Sequence, residues 1–293
     1  MEDLAEDRVY DAKAGKQVVY AATGIGVVTV EASRERVGRF GLDHRCEARD
    51  LASGGDPENG DVPADGDRLL AVATDEDVLV FDGEEYTETG FGPAVAVGFD
   101  ENDLLAAGPD GELGRVGHAV EAFGSGGAGE AEWLAVADVD GAVRAIDGPL
   151  VATSDGVYRF TADGIFDVGL ADVRDVVGTE TPRAATSDGL YRLGNGWMDE
   201  LEGGFEVVTA GENGRAHAAT DEMLYELDPA SGPDWTRREI PVAPVVDVTY
   251  GEGVYALAAD GTFLIDRGDG WARRNLGVPD AAALAVWRLE LEQ

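Results

Sequence analysis

Ala152-Thr153-Ser154-Asp155-Gly156-Val157-Tyr158-Arg159 and Ala185-Thr186-Ser187-Asp188-Gly189-Leu190-Tyr191-Arg192 are one stretch written twice, 33 residues apart. Each reads as a β-hairpin. Strand-forming residues lie on either side, and the Asp-Gly pair is expected to supply a tight turn with φ > 0. Weaker copies occur at Ala22-Thr23-Gly24, Ala73-Thr74-Asp75, Gly108-Pro109-Asp110-Gly111, Ala219-Thr220-Asp221 and Ala258-Ala259-Asp260-Gly261.

Aligned on Thr153, the copies fall at positions 23, 74, 108, 153, 186, 220 and 258, a mean spacing of about 39. That is close to the period of a four-stranded blade. Trp197, Trp235 and Trp271 form a second column some ten residues after each turn, Trp133 fits it, and Tyr86 and Phe166 take its place in two further copies. A regularly repeated ring of this kind is expected to pack between neighbouring blades. A third column of small and apolar runs, at 47–51, 94–97, 143–146, 173–177, 205–208 and 245–248, suits the innermost strands. Six such strands serve seven hairpins, and the segment 282–287 offers the seventh from the far end of the chain. A helix over 281–292 is the rival reading, since Ala, Leu and Glu favour one. The strand is preferred because the repeat count requires it. The fold class is therefore an all-β, seven-bladed β-propeller of four-stranded antiparallel blades, closed by the C-terminal strand.

The pattern at 185–197 is similar to blades of sensor-type and sialidase-like propellers, and Asp266-Arg267-Gly268-Asp269-Gly270-Trp271 resembles a degenerate Asp box of the latter. Over residues 18–287 the chain also resembles single-domain haloarchaeal β-propeller proteins. The resemblance implies a fold and no particular activity, because propellers host many. The arginine cluster and Tyr-Glu pair of a sialidase cannot be placed in this sequence.

The domain reading is an acidic extension over 1–16, then a single propeller over 17–293, interrupted by an exposed Gly-, Pro- and acid-rich loop at 53–67. A shorter Gly-rich loop starts at Gly124. With 59 acidic residues against 22 basic ones, the formal charge is −37. Lys13 and Lys16 are the only lysines. Nucleic acid and anionic membranes are excluded as general partners, since both require a positive surface. The balance is that of a halophile's cytoplasmic protein, whose self-repulsion is screened by molar salt. Residues 1–10 are too acidic for a secretory signal, no apolar run reaches membrane-helix length, and the lone Cys46 fits a reducing compartment.

Asp43-His44-Arg45-Cys46 is the densest polar cluster before an inner strand. On an extended segment, however, only alternate members can converge. The inner strands carry Arg49, Asp50, Arg144, Arg174, Asp175 and Asp247, which would either tie blades together or greet an anionic ligand. The candidate ligand-binding residues are accordingly His44, Arg45, Arg49, Arg144, Arg174 and Asp175. His44, His118 and His217 have no metal spacing, and Asp110, Asp155, Asp188 and Asp260 read first as turn residues. No cofactor, metal or catalytic residue is expected from any motif present. The function read from the sequence is a non-catalytic interaction module, monomeric, that binds a protein or small molecule on one face. The alternative is a propeller-type hydrolase or lyase with its site at the axial mouth.

The charge reading predicts that stability falls steeply as KCl is lowered from molar to about 0.1 M, where the screening length grows to roughly 10 Å. Thermal unfolding midpoints across a KCl series check this, and a flat series would contradict it.

Overall fold

The computed structural model describes residues 17–33, 36–54, 68–124, 132–161, 163–179 and 181–287. The acidic extension at 1–16 and nearly all of both Gly-rich loops lie outside the described residues.

Seven four-stranded antiparallel sheets stand in a ring. Blade 1 is built from both ends of the chain, with Ala283–Trp287 innermost, followed outward by Gln17–Thr23, Gly26–Ala32 and Val37–His44. Blade 2 runs outward through Ala48–Gly54, Leu69–Thr74, Val78–Phe81 and Tyr86–Glu88, and blade 3 through Ala96–Asp100, Asp103–Ala107, Glu112–Val116 and Leu134–Asp138. Blade 4 comprises Val143–Asp147, Leu150–Thr153, Val157–Thr161 and Gly164–Gly169. Blade 5 comprises Val173–Val177, Arg183–Thr186, Gly189–Leu193 and Trp197–Glu202. Blade 6 comprises Val207–Ala210, Ala216–Ala219, Leu224–Leu227 and Thr236–Arg238, and blade 7 Val245–Tyr250, Val254–Ala258, Thr262–Asp266 and Trp271–Asn275. A short helix, Ala119–Phe123, between the outer strands of blade 3 is an addition that the repeat gives no hint of.

The core is divided into seven apolar clusters, one in each gap between neighbouring blades. Each sheet is therefore covered on both faces, which is why the second strands of blades 2, 4, 5, 6 and 7 are buried throughout and those of blades 1 and 3 at all but one residue. All six residues of Leu69–Thr74 and all five of Val254–Ala258 are buried, and the strands read as continuous apolar runs rather than alternating ones.

The turn between the second and third strands explains the threonine of the repeat. Thr153 Oγ1 donates to the Gly156 carbonyl and accepts from the Gly156 and Asp155 amides, and Thr186 does the same with Gly189 and Asp188. Thr23, Thr74 and Thr220 repeat the pattern. Gly111 and Gly261, in the copies that lack the threonine, adopt the left-handed φ expected from Asp-Gly, whereas Gly156 and Gly189 do not. The threonine hydroxyl fixes these turns, and glycine is required for space. A Cβ at Gly156 would lie 3.2 Å from the Gly169 and Leu170 carbonyls, and one at Gly189 only 2.9 Å from the Tyr191 ring.

Each indole of the tryptophan column donates to the preceding blade or its exit. Trp133 Nε1 bonds Thr89 O at 3.2 Å, Trp197 bonds Val168 O at 2.9 Å, Trp235 bonds Glu200 Oε2 at 3.1 Å and Trp271 bonds Glu239 O at 3.0 Å. Phe166 departs from the expectation. It is 51% exposed, because it lacks an N–H to anchor it to the preceding blade.

Closure is by the strand rather than the helix. Ala283–Trp287 pairs antiparallel with the first described strand, in the register Val18 to Trp287, Tyr20 to Ala285 and Ala22 to Ala283. Deleting residues 281–293 would leave the inner edge of Gln17–Thr23 without a partner and open two gaps of the core. We expect the deletion to abolish cooperative unfolding in molar KCl, as followed by denaturant titration. A truncated chain that keeps a single sharp transition would refute closure as the stabilising element.

Candidate functional site

The seven inner strands surround an axial cavity of roughly 350 Å³. Its lining is set by a repeated defect in the strands. In blades 2, 4, 5 and 7 the pairing of the innermost strand slips by one residue at Arg49, Arg144, Arg174 and Val246. Such a bulge re-aims side chains, so the bulged residue and its successor both face the axis, where a regular strand would send one of them into a blade gap. Arg49 and Asp50, Arg174 and Asp175, and Val246 and Asp247 line the cavity as consecutive pairs, and each pair is flanked by buried apolar residues.

Three of the aspartates act as clasps between blades. Asp175 Oδ1 accepts the Val176 amide of its own strand at 2.8 Å, and Oδ2 accepts Val208 N of blade 6, also at 2.8 Å. Asp50 joins Leu51 to Val97 of blade 3 in the same way, and Asp247 joins Val248 to Leu284, across the closure point. Asp147 reaches Gly178 N of blade 5 at 2.6 Å. Burial outweighs these amides and, with repulsion from the other channel carboxylates, pushes Asp50 and Asp247 up to about 7 and Asp175 to about 8. Burial likewise raises Asp147.

The arginines pair elsewhere. Asp172, in the loop entering blade 5, holds Arg144 Nη1 at 2.7 Å and Arg174 Nη2 at 3.3 Å, one on each carboxylate oxygen. Arg144 also donates to Val173 O, and hydrogen bonds from Arg144 and Ser187 hold the Asp172 carboxyl below its usual range. Arg174 reaches Glu206 of blade 6 at 3.7 Å, and Arg49 pairs, among the described residues, with its neighbour Glu47 at 3.1 Å.

Of the residues singled out in the sequence, Arg49, Arg144, Arg174 and Asp175 meet around this cavity, while His44 and Arg45 do not line it. His44 ends the outermost strand of blade 1, three strands from the axis, where its ring stacks on Tyr86 at 4.3 Å and Tyr86 donates to Asp43 at 2.7 Å. Arg45 is exposed and Cys46 partly buried, its thiol pushed up mainly by that burial. His118 lies on the surface and His217 is buried in blade 6, bonded through Nδ1 to Tyr250 at 2.6 Å, so the histidines do not converge. Sequence reasoning missed Asp172 and Glu206. Asp172 carried no repeat signature, whereas the clasp was signalled by Arg49-Asp50-Leu51, Arg174-Asp175-Val176 and Val246-Asp247-Val248 recurring in one column.

Fold and cavity define a seven-bladed β-propeller whose axis is lined by arginines and clasping aspartates. The chain matches the family described as HVO_0234-like, beta propeller, over residues 3–287, and belongs to that family. No curated protein matches it. Among solved structures, the WD40 β-propeller domain of Doa1 is similar, with a TM-score of 0.61 and 14% identity over 80% of this chain and 84% of that one. YCF48 bound to D1 peptide gives 0.54 and 14% over 79% and 86%. A nidogen/laminin complex gives 0.57 and 10% over 93% and 98%. At these identities the likeness is one of fold.

The clasps make a signed prediction. Because the folded state raises these carboxyls above their ordinary value of about 3.9, it holds more protons than the unfolded chain between about pH 4 and 8, and stability falls as pH rises through that window. Asp175→Asn presents one acceptor to two amides, so it should cost about 1–3 kcal/mol. It should also flatten the fall. Urea unfolding at several pH values in constant molar KCl reads both effects, and a variant with the wild-type slope would refute the assignment.

Proposed function

We propose that the protein is a non-catalytic interaction module of a halophilic cytoplasm that binds its partner at the axial mouth, on the face carrying the threonine turns. Residues 17–293 would act as one monomeric unit, with 1–16 a separate acidic extension. One observation carries the reading: the aspartates that could serve a hydrolase as acid and base are engaged on both oxygens by main-chain amides. A general acid or base must reach the substrate's proton, and a nucleophilic carboxylate must be free to attack. The clasped groups instead hold neighbouring blades together: two amides fix each carboxyl in place, so it cannot turn to exchange a proton or to attack, while its remaining lone pairs and the arginines are the polar groups offered at the mouth.

Two further points support binding over turnover. Three similar folds come from a WD40 domain, a peptide-bound propeller and a protein–protein complex. The composition favours molar salt, under which surface charge pairs are screened and recognition must rest on concave, partly desolvated sites. His44 and Arg45 extend the same face at its rim, where they would contact a partner too large to enter the cavity.

Arg49 is the informative probe, because its partner Glu47 lies just before its own strand and its loss disturbs no clasp. Immobilised protein in native lysate at molar KCl should retain a stoichiometric protein partner. Arg49→Ala and the double variant His44→Ala/Arg45→Ala should lose most of that capture with the melting temperature nearly unchanged. Equal capture by wild type and both variants would overturn the assignment of the face, as would hydrolytic turnover abolished by Asp175→Asn in a folded variant.

A further inference from the structure

Two signs of charge meet in the axial cavity without cancelling. The guanidiniums of Arg49, Arg144 and Arg174 occupy the bulges, and Asp50, Asp175 and Asp247 lie one position further along the inner strands. The acidic partners of the arginines are Glu47, Asp172 and Glu206, not these three aspartates. The aspartates in turn receive main-chain amides, one on each oxygen. A carboxylate has about four acceptor sites and a guanidinium five donors, so both sets keep capacity toward the axis. Arg174 Nε is buried with no partner among the described atoms.

Building on the binding role above, we propose that the cavity is a receptor for a small zwitterion, whose carboxylate lies against Arg49, Arg144 and Arg174 and whose ammonium group is directed to Asp50, Asp175 and Asp247. Roughly 350 Å³ lies at the small end of the range for small-molecule sites and suits a compact amino acid rather than a nucleotide or a folded peptide. Selectivity follows from the two-layer arrangement. A simple anion that enters meets the carboxylate layer, and a simple cation meets the guanidiniums; each like-charge encounter opposes binding. Inorganic ions at molar concentration screen each layer separately. A molecule carrying both charges on one short frame presents the second at high effective concentration once the first is bound, so it can compete where single ions cannot.

The test uses three zwitterions of increasing length, glycine, β-alanine and γ-aminobutyrate, with butyrate and butylamine as single-charge controls for the longest. Calorimetric titration into the full chain in molar KCl at about pH 9, where the clasping carboxyls are ionised and an amino group still carries its proton, should show saturable binding of at least one zwitterion. Butyrate and butylamine should bind at least about tenfold more weakly than γ-aminobutyrate where that length fits. Arg49→Gln and Asp247→Asn should each weaken zwitterion binding by roughly tenfold or more, a loss of about 1.4 kcal/mol. The aspartate variant also breaks the closure clasp, so Arg49→Gln serves as the second variant if Asp247→Asn fails to fold. The proposal is overturned if none of the three zwitterions binds, if a single-charge control binds as tightly as its zwitterion, or if Arg49→Gln binds like wild type. Partner capture that survives while no zwitterion binds would refute this ligand class and leave the interaction module standing; loss of both would refute both.

Discussion

Every blade of this protein depends on its neighbours, because no sheet has an apolar face that it can cover alone. The second strands are buried on both sides, and the apolar clusters lie between sheets rather than within them. A stack of such sheets gains its full stability only when the last meets the first. The pairing of Ala283–Trp287 with Gln17–Thr23 therefore determines more than its own five residue pairs. It completes the cluster between blades 7 and 1 and the cluster between blades 1 and 2. Asp247 ties the same junction from the axis by receiving the Leu284 amide. Gln17 ties it from the opposite face, where its side-chain oxygen accepts Glu252 N at 2.7 Å and the Tyr255 hydroxyl at 3.1 Å.

The same crowding at the axis shapes the candidate site. Seven strands converging on one axis leave room for small side chains in their second rows, hence Ala216–Ala219 and the alanines of Arg183–Thr186. They also leave inner-strand amides facing the channel edge. The aspartates satisfy those amides, and the bulges let an arginine stand beside each of two of them without being driven into a blade. A buried amide without a partner costs about 1–3 kcal/mol, so the clasps would be retained for folding alone. Arg49, which pairs with Glu47 and with no main-chain group among the described residues, has no such debt to the main-chain ladder. Its placement at an open cavity is what separates the site from ordinary inter-blade packing.

Much of the architecture was legible because one device is repeated with little change. The Thr-x-x-Gly turn, the indole that reaches back one blade and the small inner strand each impose a residue type at a fixed interval, and an interval survives where local propensity is ambiguous. The reading failed where the physical cause differed from the usual one. Asp-Gly suggested a left-handed glycine, which holds at Gly111 and Gly261; in the copies at 153 and 186 the threonine hydroxyl already fixes the turn, and Gly156 and Gly189 are there for clearance. Phe166 was counted with the tryptophans by position, yet it has no N–H to bond the previous blade. His44 and Arg45 seemed to belong with Arg49 because they are close in sequence. The chain passes from the outermost strand of one blade to the innermost of the next between them, so a few residues span the full width of a blade. Strand alternation would have separated Arg49 from Asp50; a bulge, invisible in the sequence, puts both on the axis.

The distribution of charge constrains what the surface can recognise. Of 22 basic residues all but two are arginines, and several lie where screening is weakest. Arg183, only 4% exposed, bonds Glu200 at 2.9 Å beside Trp235, and Glu226 is held by Arg215 and Arg238, the latter also pairing with Asp266 at 2.9 Å. Arginine suits such positions because its planar fork keeps several directed hydrogen bonds and is weakly hydrated. Exposed pairs contribute little in molar salt, whereas partly buried ones are screened far less. The protein places six of its arginines, Arg49, Arg144, Arg174, Arg183, Arg215 and Arg238, in blade gaps or at the axial mouth, and the exposed arginines that remain on the outer surface are outnumbered by carboxylates. An anionic partner meets repulsion over most of that surface, and the axial arginines are a place where its negative group finds complementary charge. That asymmetry, rather than any one residue, is the strongest physical reason for proposing the mouth of the channel as the binding site.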